Sequence, residues 1–192
     1  SFYSFTPKVY LNDMVNYFSP DTNLSTIYLH KQDKVWDPNL AAWISNMGIF
    51  YGGIAEPSKI TLLVNPEPKS TKVFDNIQYG FDSVNFLNSN IKYPADKFNN
   101  IRAWNNLQYT GSRNLTNFEK IKESSHNVVV PRDIVDHTGG PVVDIFSSID
   151  INQKFQQRMR SKYLFVELEY LNSTGNKIEL TTWKNQFRAS FR

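Results

Sequence analysis

Residues 60–64, Ile-Thr-Leu-Leu-Val, make a short unbroken apolar run rich in β-branched side chains, the pattern of a strand covered on both faces. Pro66 and Pro68 follow at once. Proline has no N–H to give to a ladder, so the strand ends there and the chain crosses in extended form before a second strand opens at Lys72. From there Val73, Ile77, Tyr79 and Phe81 take odd positions while Asn76, Gln78 and Gly80 take even ones, which predicts one buried and one wet face. Asp75 lies on the apolar row and is expected to be a buried hydrogen-bonding residue. The apolar parity then passes to Val84 and Phe86, which predicts a β-bulge near Asp82 and Ser83. A chain built around such a segment is all-β or strongly β-rich, with antiparallel sandwich- or barrel-like sheets and one or two short helices.

The remaining stretches extend this reading over residues 1–192 as a single β-rich structural domain. Fourteen Phe and ten Tyr exceed what a minimal core requires and favour sheets and contact surfaces over helical bundles. Residues 1–20 carry Phe2, Tyr3 and Phe5 among several more aromatics, too apolar for a free tail and too interrupted for a helix, and are expected to dock against something. Residues 24–30 read as a strand. After the break at Trp36-Asp37-Pro38, residues 39–46 read as a short helix. Ile101, Ala103, Leu107 and Tyr109 share one face of a half-exposed strand, with Trp104 on the wetter side. A second short helix is expected around Ile151, Phe155 and Met159. The even positions Leu164 to Tyr170 and Ile178 to Thr182 form a final hairpin, buried together. From Trp183 the apolar parity turns odd, which predicts another bulge near Lys184 and Asn185. The chain ends as a sheet edge with Phe187 and Phe191 as anchors and Arg188 and Arg192 outward.

Several chemistries are excluded or weakened. With no cysteine there is no disulfide, no thiolate zinc site and no thiol nucleophile. A net charge of +3, spread among interspersed acids and bases, argues against a dedicated nucleic-acid binder. No apolar run is long enough for a transmembrane helix and no leader pattern occurs. Asp133, Asp136, His137 and Asp144 could supply oxygen and nitrogen metal ligands. They flank a Gly-Gly-Pro turn without a metal-loop spacing or a histidine pair, so local hydrogen bonding is the expected role and no metal or cofactor is assigned. Asp75, Asp82, Asp96, Glu119 and Glu123 are scattered, and no nucleophile elbow or phosphate loop is present, so no catalytic residue is assigned and an enzyme is not expected. Trp36, Trp43, Trp104 and Trp183 fit a core or a protein interface, Trp104 being the one best placed to stack on a sugar or base. Lys154, Arg158, Arg160, Lys162, Arg188 and Arg192 lie among Glu167, Glu169 and Glu179 and read as solvated charge. Direct nucleic-acid contact stays open without being predicted.

Certain local patterns carry a family likeness. Asn65-Pro66-Glu67-Pro68, Thr71-Lys72-Val73-Phe74-Asp75-Asn76 and Ile101-Arg102-Ala103-Trp104 with Gln108-Tyr109-Thr110-Gly111 are three of them. Arg158-Met159-Arg160-Ser161-Lys162-Tyr163-Leu164 and Asn185-Gln186-Phe187-Arg188 complete the set. Together they resemble the C-terminal part of muzzle, or tail stabilisation, proteins of short-tailed crAss-like bacteriophages. The resemblance implies a structural virion protein of the distal tail, assembled in the host bacterial cytoplasm as a homo-oligomeric ring that closes or lines the DNA exit channel. It implies as partners other tail proteins and the remainder of a larger precursor, from which this chain, beginning at Ser1, would be a processed C-terminal fragment. Phe2, Tyr3, Phe5, Trp104, Phe187, Arg188, Phe191 and Arg192 are the expected assembly contacts. A carbohydrate- or receptor-binding β-module of a tail, using exposed aromatics such as Trp104, is the alternative.

Overall fold

A computed structural model of the chain describes residues 11–12, 17–20, 27–30, 34–45, 49–50, 54–55, 57–85, 88, 91–93, 96–122, 125–138, 140–141, 143–149, 156–171 and 175–190. Strands dominate and the sheets are antiparallel and sandwich-like, as the periodicity predicts. The chain forms two compact units, one of Ser1–Lys59, Asp82–Asp96 and Tyr170–Glu179, the other of Ile60–Phe81, Lys97–Glu169 and Leu180–Arg192.

In the first unit, β1 (Leu11–Asn12), β2 (Tyr17–Pro20) and β3 (Ile27–His30) form a three-stranded antiparallel sheet. β4 (Lys34–Asp37) and β5 (Ala42–Ser45) form a hairpin, and β6 (Ile49–Phe50) pairs with β7 (Ile54–Ala55). The hairpin replaces the short helix expected over residues 39–46. Asp37 Oδ1 accepts the N–H of Asn39 at 2.8 Å and of Leu40 at 3.4 Å, and Ala41 takes a positive φ of 48°. This side-chain-closed turn brings Trp36 opposite Trp43, edge to face at 5.6 Å, with Lys34 Nζ 4.9 Å from the Trp43 ring centre. Cross-strand aromatic pairing outweighs the weak helical preference of Leu40-Ala41-Ala42. Further along the unit, Asp96 Oδ2 accepts from Ser83 Oγ at 2.7 Å, Asn176 Nδ2 at 2.8 Å and Tyr170 Oη at 3.4 Å.

The remaining strands lie wholly or mostly in the second unit. They are β8 (Ser58–Val64), β9 (Lys72–Val84), β10 (Asn100–Trp104), β11 (Arg113–Asn114), β12 (Glu119–Lys122), β13 (Ser125–Val129), β14 (Arg160–Ser161), β15 (Leu164–Tyr170) and β16 (Lys177–Ala189). One sheet runs β11-β10-β15-β8; the other runs β12-β13-β9-β14, with β16 also paired to β9. Alternation explains the core: Ile101 and Ala103 on β10 face Leu168 and Val166 on β15, all fully buried, while Ile77 and Tyr79 on β9 pair with Val128 and His126 on β13. Phe98 packs edge-on against Tyr79 at 5.4 Å and Phe81 at 5.1 Å. Each fully buried Ile, Leu or Val of this kind contributes roughly 1.5–3 kcal/mol over an exposed one.

Further expectations need correction. β8 is not covered on both faces: it lies at the edge of its sheet and Leu63 is 58 % exposed. The final hairpin does not form: β15 is flanked by β10 and β8, which leaves no edge for β16, and β16 pairs with β9 instead. No parity change occurs at Asp82–Ser83. Ser83 stays on the buried odd row at 3 % exposure because Asp96 accepts its hydroxyl. The second parity change lies earlier than Lys184–Asn185: the half-buried row passes from Ile178 and Leu180 to Trp183 and Phe187 across exposed Thr181 and Thr182. Both threonines crowd Gly80 of β9, where an added Cβ would meet their hydroxyls at 2.6 and 2.5 Å. Two residues facing one glycine is bulge geometry. Leu107 is exposed, since Asn105 Oδ1 accepts the N–H of Leu107 at 2.8 Å and of Gln108 at 3.0 Å and turns the chain back. The second expected helix falls partly outside the described residues, and residues 156–159 have no regular structure ahead of β14. The helix among the described residues is one 3-10 turn, Leu115–Asn117, capped by Asn114.

Candidate interaction site

Two carboxylates organise the polar chemistry of the second unit, and both depend on how β9 is framed. Segment 156–161 is fastened beside that strand. Asp133 N–H donates to the Gln157 carbonyl at 2.9 Å and Phe74 N–H to the Met159 carbonyl at 3.0 Å. The buried Gln108 accepts the N–H of Arg160 at 2.6 Å and donates to the Arg158 carbonyl at 3.1 Å and to Asp133 Oδ2 at 3.2 Å. With Met159 sealed in the core, its neighbour Arg158 faces outward.

Arg158 Nη1 lies 2.5 Å from Asp75 Oδ1, and Arg188 Nε, from β16, lies 3.1 Å from Asp75 Oδ2. The Asp75 side chain is 24 % exposed, so it is a partly open carboxylate between two arginines and not the buried hydrogen-bonding residue expected from its row. The apolar row breaks here because the even-numbered Phe74 takes the buried place. Both arginines are more than half exposed, and solvent screening holds each pair to roughly 1 kcal/mol or less. Beside them opens a concavity of about 400 Å³, floored by Phe74, Phe118, Val129, Val130 and Pro131 and edged by Asp75, Arg113, Arg132 and Arg158. Arg113 Nε donates to the Thr110 carbonyl at 3.1 Å and Arg132 Nη1 to the Gln156 carbonyl at 3.2 Å. Each of these bonds aims a guanidinium at the rim while using one of its five N–H groups.

Glu119 is the second carboxylate, and it is closed. Its side chain is 1 % exposed and receives Tyr79 Oη at 2.5 Å, His126 Nδ1 at 2.8 Å and Lys97 Nζ at 2.8 Å. Burial alone would raise its pKa; the bonds from His126, Lys97 and Tyr79 outweigh that and hold it at about 2. An ionised carboxylate only accepts, so His126 presents its N–H at Nδ1. Burial, with the bond to Glu119 behind it, pushes the Tyr79 hydroxyl far above its ordinary value. The His126 ring stacks on Tyr79 at 4.8 Å, which leaves the network packed from the side as well.

A third polar device fixes the proline crossing. Lys72 is fully buried, and its ammonium donates to the carbonyls of Glu67 and Ser70, both at 2.9 Å. Glu67 takes a φ of 50°, and the Phe187 ring centre lies 6.0 Å from Nζ. Burial lowers the Lys72 pKa.

The residues singled out from sequence scatter. Phe2, Tyr3, Phe5, Phe191 and Arg192 lie outside the described residues. Phe187 is half-buried beside Lys72, and Arg188 joins the Asp75 cluster. Trp104 lies on the outer face of β10, half-exposed, stacked on Phe165 at 5.5 Å with Arg102 over its ring at 5.6 Å. Arg102 in turn bonds Glu167, which raises the Arg102 pKa. Asp133, Asp136, His137 and Asp144 do not converge. His137 Nε2 meets the buried Asp133 at 2.6 Å, while Asp133 also accepts the N–H of Tyr109 and Val135. Asp136 binds Thr138, which lowers its pKa, and Asp144 accepts the N–H of Phe146. Among the described residues no three metal-ligating side chains gather, and no helix is long and apolar enough to cross a membrane. Arg113, Arg132, Glu119 and Lys72 were not legible as sites, since each meets its partners only through the fold.

Residues 46–133, just under half of the chain, match the family model described as the Crassvirus muzzle protein C-terminal domain. Over those residues the chain is similar to muzzle proteins, a likeness that supports a structural role in a bacteriophage tail. The match takes in the motifs from Asn65 to Gly111, while those at 158–164 and 185–188 lie beyond it. No curated protein matches the chain.

Proposed function

We propose that the chain works as the C-terminal part of a larger muzzle protein at the distal end of a short tail, assembled as a homo-oligomeric ring that closes or lines the DNA exit channel and is put together in the host cytoplasm. The family description as a C-terminal domain supports its working with the rest of a longer protein, and a structural family supports a role without catalysis. The observation that carries the assembly reading is β16. It is 13 residues long, pairs with β9, and among the described residues has no strand on its other side. A strand edge of that length offers a row of main-chain donors and acceptors to a neighbouring chain. Phe187 and Arg188 lie on the part of β16 offered for that pairing; Phe191 and Arg192 follow it, and Phe2, Tyr3 and Phe5 are the proposed contacts of the opening segment with the precursor.

Deleting residues 187–192 from the full-length muzzle protein and imaging it by electron microscopy tests this. Loss of rings is expected, and rings formed as in the parent would contradict it. The glycan-binding alternative rests on the outer-face row Trp104, Phe165 and Tyr163. Phe165 and Arg102 already lie against the Trp104 ring, which weighs against it. Sharp binding on a glycan array, lost in Trp104→Ala, would favour that alternative.

A further inference from the structure

We propose that the arginine-edged concavity of the second unit is a docking site for an acidic–apolar peptide segment of a partner protein: a carboxylate gripped between guanidiniums, with a neighbouring aliphatic or aromatic side chain laid on the floor. The inference concerns a different surface from the β16 edge and does not require that the chain form a ring.

Charge argues first. The rim holds Arg113, Arg132 and Arg158 against one carboxylate, Asp75, which Arg158 and Arg188 already share. Among the described residues no carboxylate pairs with Arg113 or Arg132, whose side chains are anchored through main-chain carbonyls. A guanidinium held this way is preorganised for a carboxylate, which it can meet through two parallel N–H bonds. Among the described residues the rim therefore carries an excess of positive charge that no further carboxylate neutralises.

The floor decides which anion. Val129 is 53 % exposed although its neighbours Val128 and Val130 are buried, and with the half-buried Phe118 it gives an apolar surface in the concavity that the arginines line. A nucleic-acid backbone is tracked by a long basic groove and gains nothing from such a surface, whereas a volume of about 400 Å³ matches a few peptide side chains. Peptide recognition by arginine clusters around an apolar pocket follows the same physical pattern. The site is also tied down on two sides: segment 156–161 by Gln108, and the end of β13 by the bond from Val130 N–H to the Asp75 carbonyl at 3.0 Å.

The test is fluorescence anisotropy on the 192-residue chain with labelled short peptides. One alternates aspartate with leucine, one alternates asparagine with leucine, one is all aspartate, and a single-stranded thymidine oligonucleotide serves as the phosphate probe. The aspartate–leucine peptide should bind at least about tenfold more tightly than the other three, since losing either the charge-assisted bonds or the apolar contact removes a comparable share. Arg132→Glu, at an exposed side chain, should weaken it about tenfold or more, and Val129→Asp should do the same from the floor. Asp75→Asn, by releasing Arg158, should tighten it severalfold. Absence of binding, equal binding of the all-aspartate peptide, or insensitivity to both Arg132→Glu and Val129→Asp would overturn the proposal. Tighter binding of the oligonucleotide, lost in Arg132→Glu, would overturn it in favour of a nucleic-acid contact.

Discussion

Glu119 and Asp75 are both carboxylates of the second sandwich-like unit, each gathering cationic or polar partners beside β9, yet they have opposite characters. Around Glu119 the partners enclose the carboxylate: a tyrosine and a histidine bond Oε1 and a lysine lies 2.8 Å from Oε2 of a side chain 1 % exposed. Around Asp75 the cluster stays open: the carboxylate is 24 % exposed, its two arginines are more than half exposed, and two further arginines stand beside it across an apolar floor. A closed network in low dielectric specifies a unique packing and has nothing left to offer a ligand. An open one contributes little to stability and keeps its charge available. Burial, more than residue type, therefore separates what holds this unit together from what it presents.

That contrast can be broken by substitution. Glu119→Ala should be the costliest change, about 3–5 kcal/mol in denaturant unfolding, because it strands a buried tyrosine hydroxyl, a buried histidine and a half-buried lysine. A loss below about 1 kcal/mol would mean the network is not the closed structural element described. Acid offers the same test without mutation. The Glu119 pKa is lowered from 4.5 to about 2 on folding, so its stabilisation is fully present above about pH 4.5 and is lost as pH falls from there through 2. A thermal-melt series should show Tm falling across that window, with the fall markedly shallower in Glu119→Gln; identical profiles would contradict the assignment.

At the open cluster the effects on stability should be small. Asp75→Asn should change unfolding free energy by about 1 kcal/mol or less, as expected for screened surface pairs. A loss as large as that of Glu119→Ala would erase the distinction between the two clusters. Gly80→Ala should fall between them, since an added methyl must push aside the hydroxyls of Thr181 and Thr182, the movable ends of side chains. A cost of about 1–3 kcal/mol is expected from overpacking, and a neutral result would argue against a bulge closely seated on Gly80.

Much of the sheet framework was legible because strands announce themselves by alternation. The buried rows Ile77-Tyr79-Phe81, Ile101-Ala103 and Leu164-Val166-Leu168 were all foreseen, as was the break at Pro66 and Pro68. Pairing was less legible than faces. β15 and β16 share an even-numbered apolar row that suits a hairpin, but nothing in that row says that β10 and β8 take both flanks of β15. The hairpin at Trp36 and Trp43 was misread since Leu40-Ala41-Ala42 favours a helix locally, and only the cross-strand partner overrules it. The candidate site was hidden for a different reason. Asp75, Arg113, Arg132 and Arg158 come from four separate stretches, the arginines resembling ordinary solvated charge and Asp75 a buried residue, and only the fold, with segment 156–161 fastened by Gln108, brings them to one rim. The motif residues behind the family likeness prove to be such fasteners: Lys72 holds the proline crossing, and Gln108 holds Arg158 and Arg160.

The central claim is that the chain serves the tail by offering the outer edge of β16 to a neighbour. Amide hydrogen exchange, compared between the isolated chain and assembled particles, addresses it directly. The account predicts that amides over residues 183–189 exchange quickly in the isolated chain on one parity of positions and become protected on assembly, while the β9 and β13 amides are protected in both. Equal exchange of residues 183–189 in the two states would contradict it.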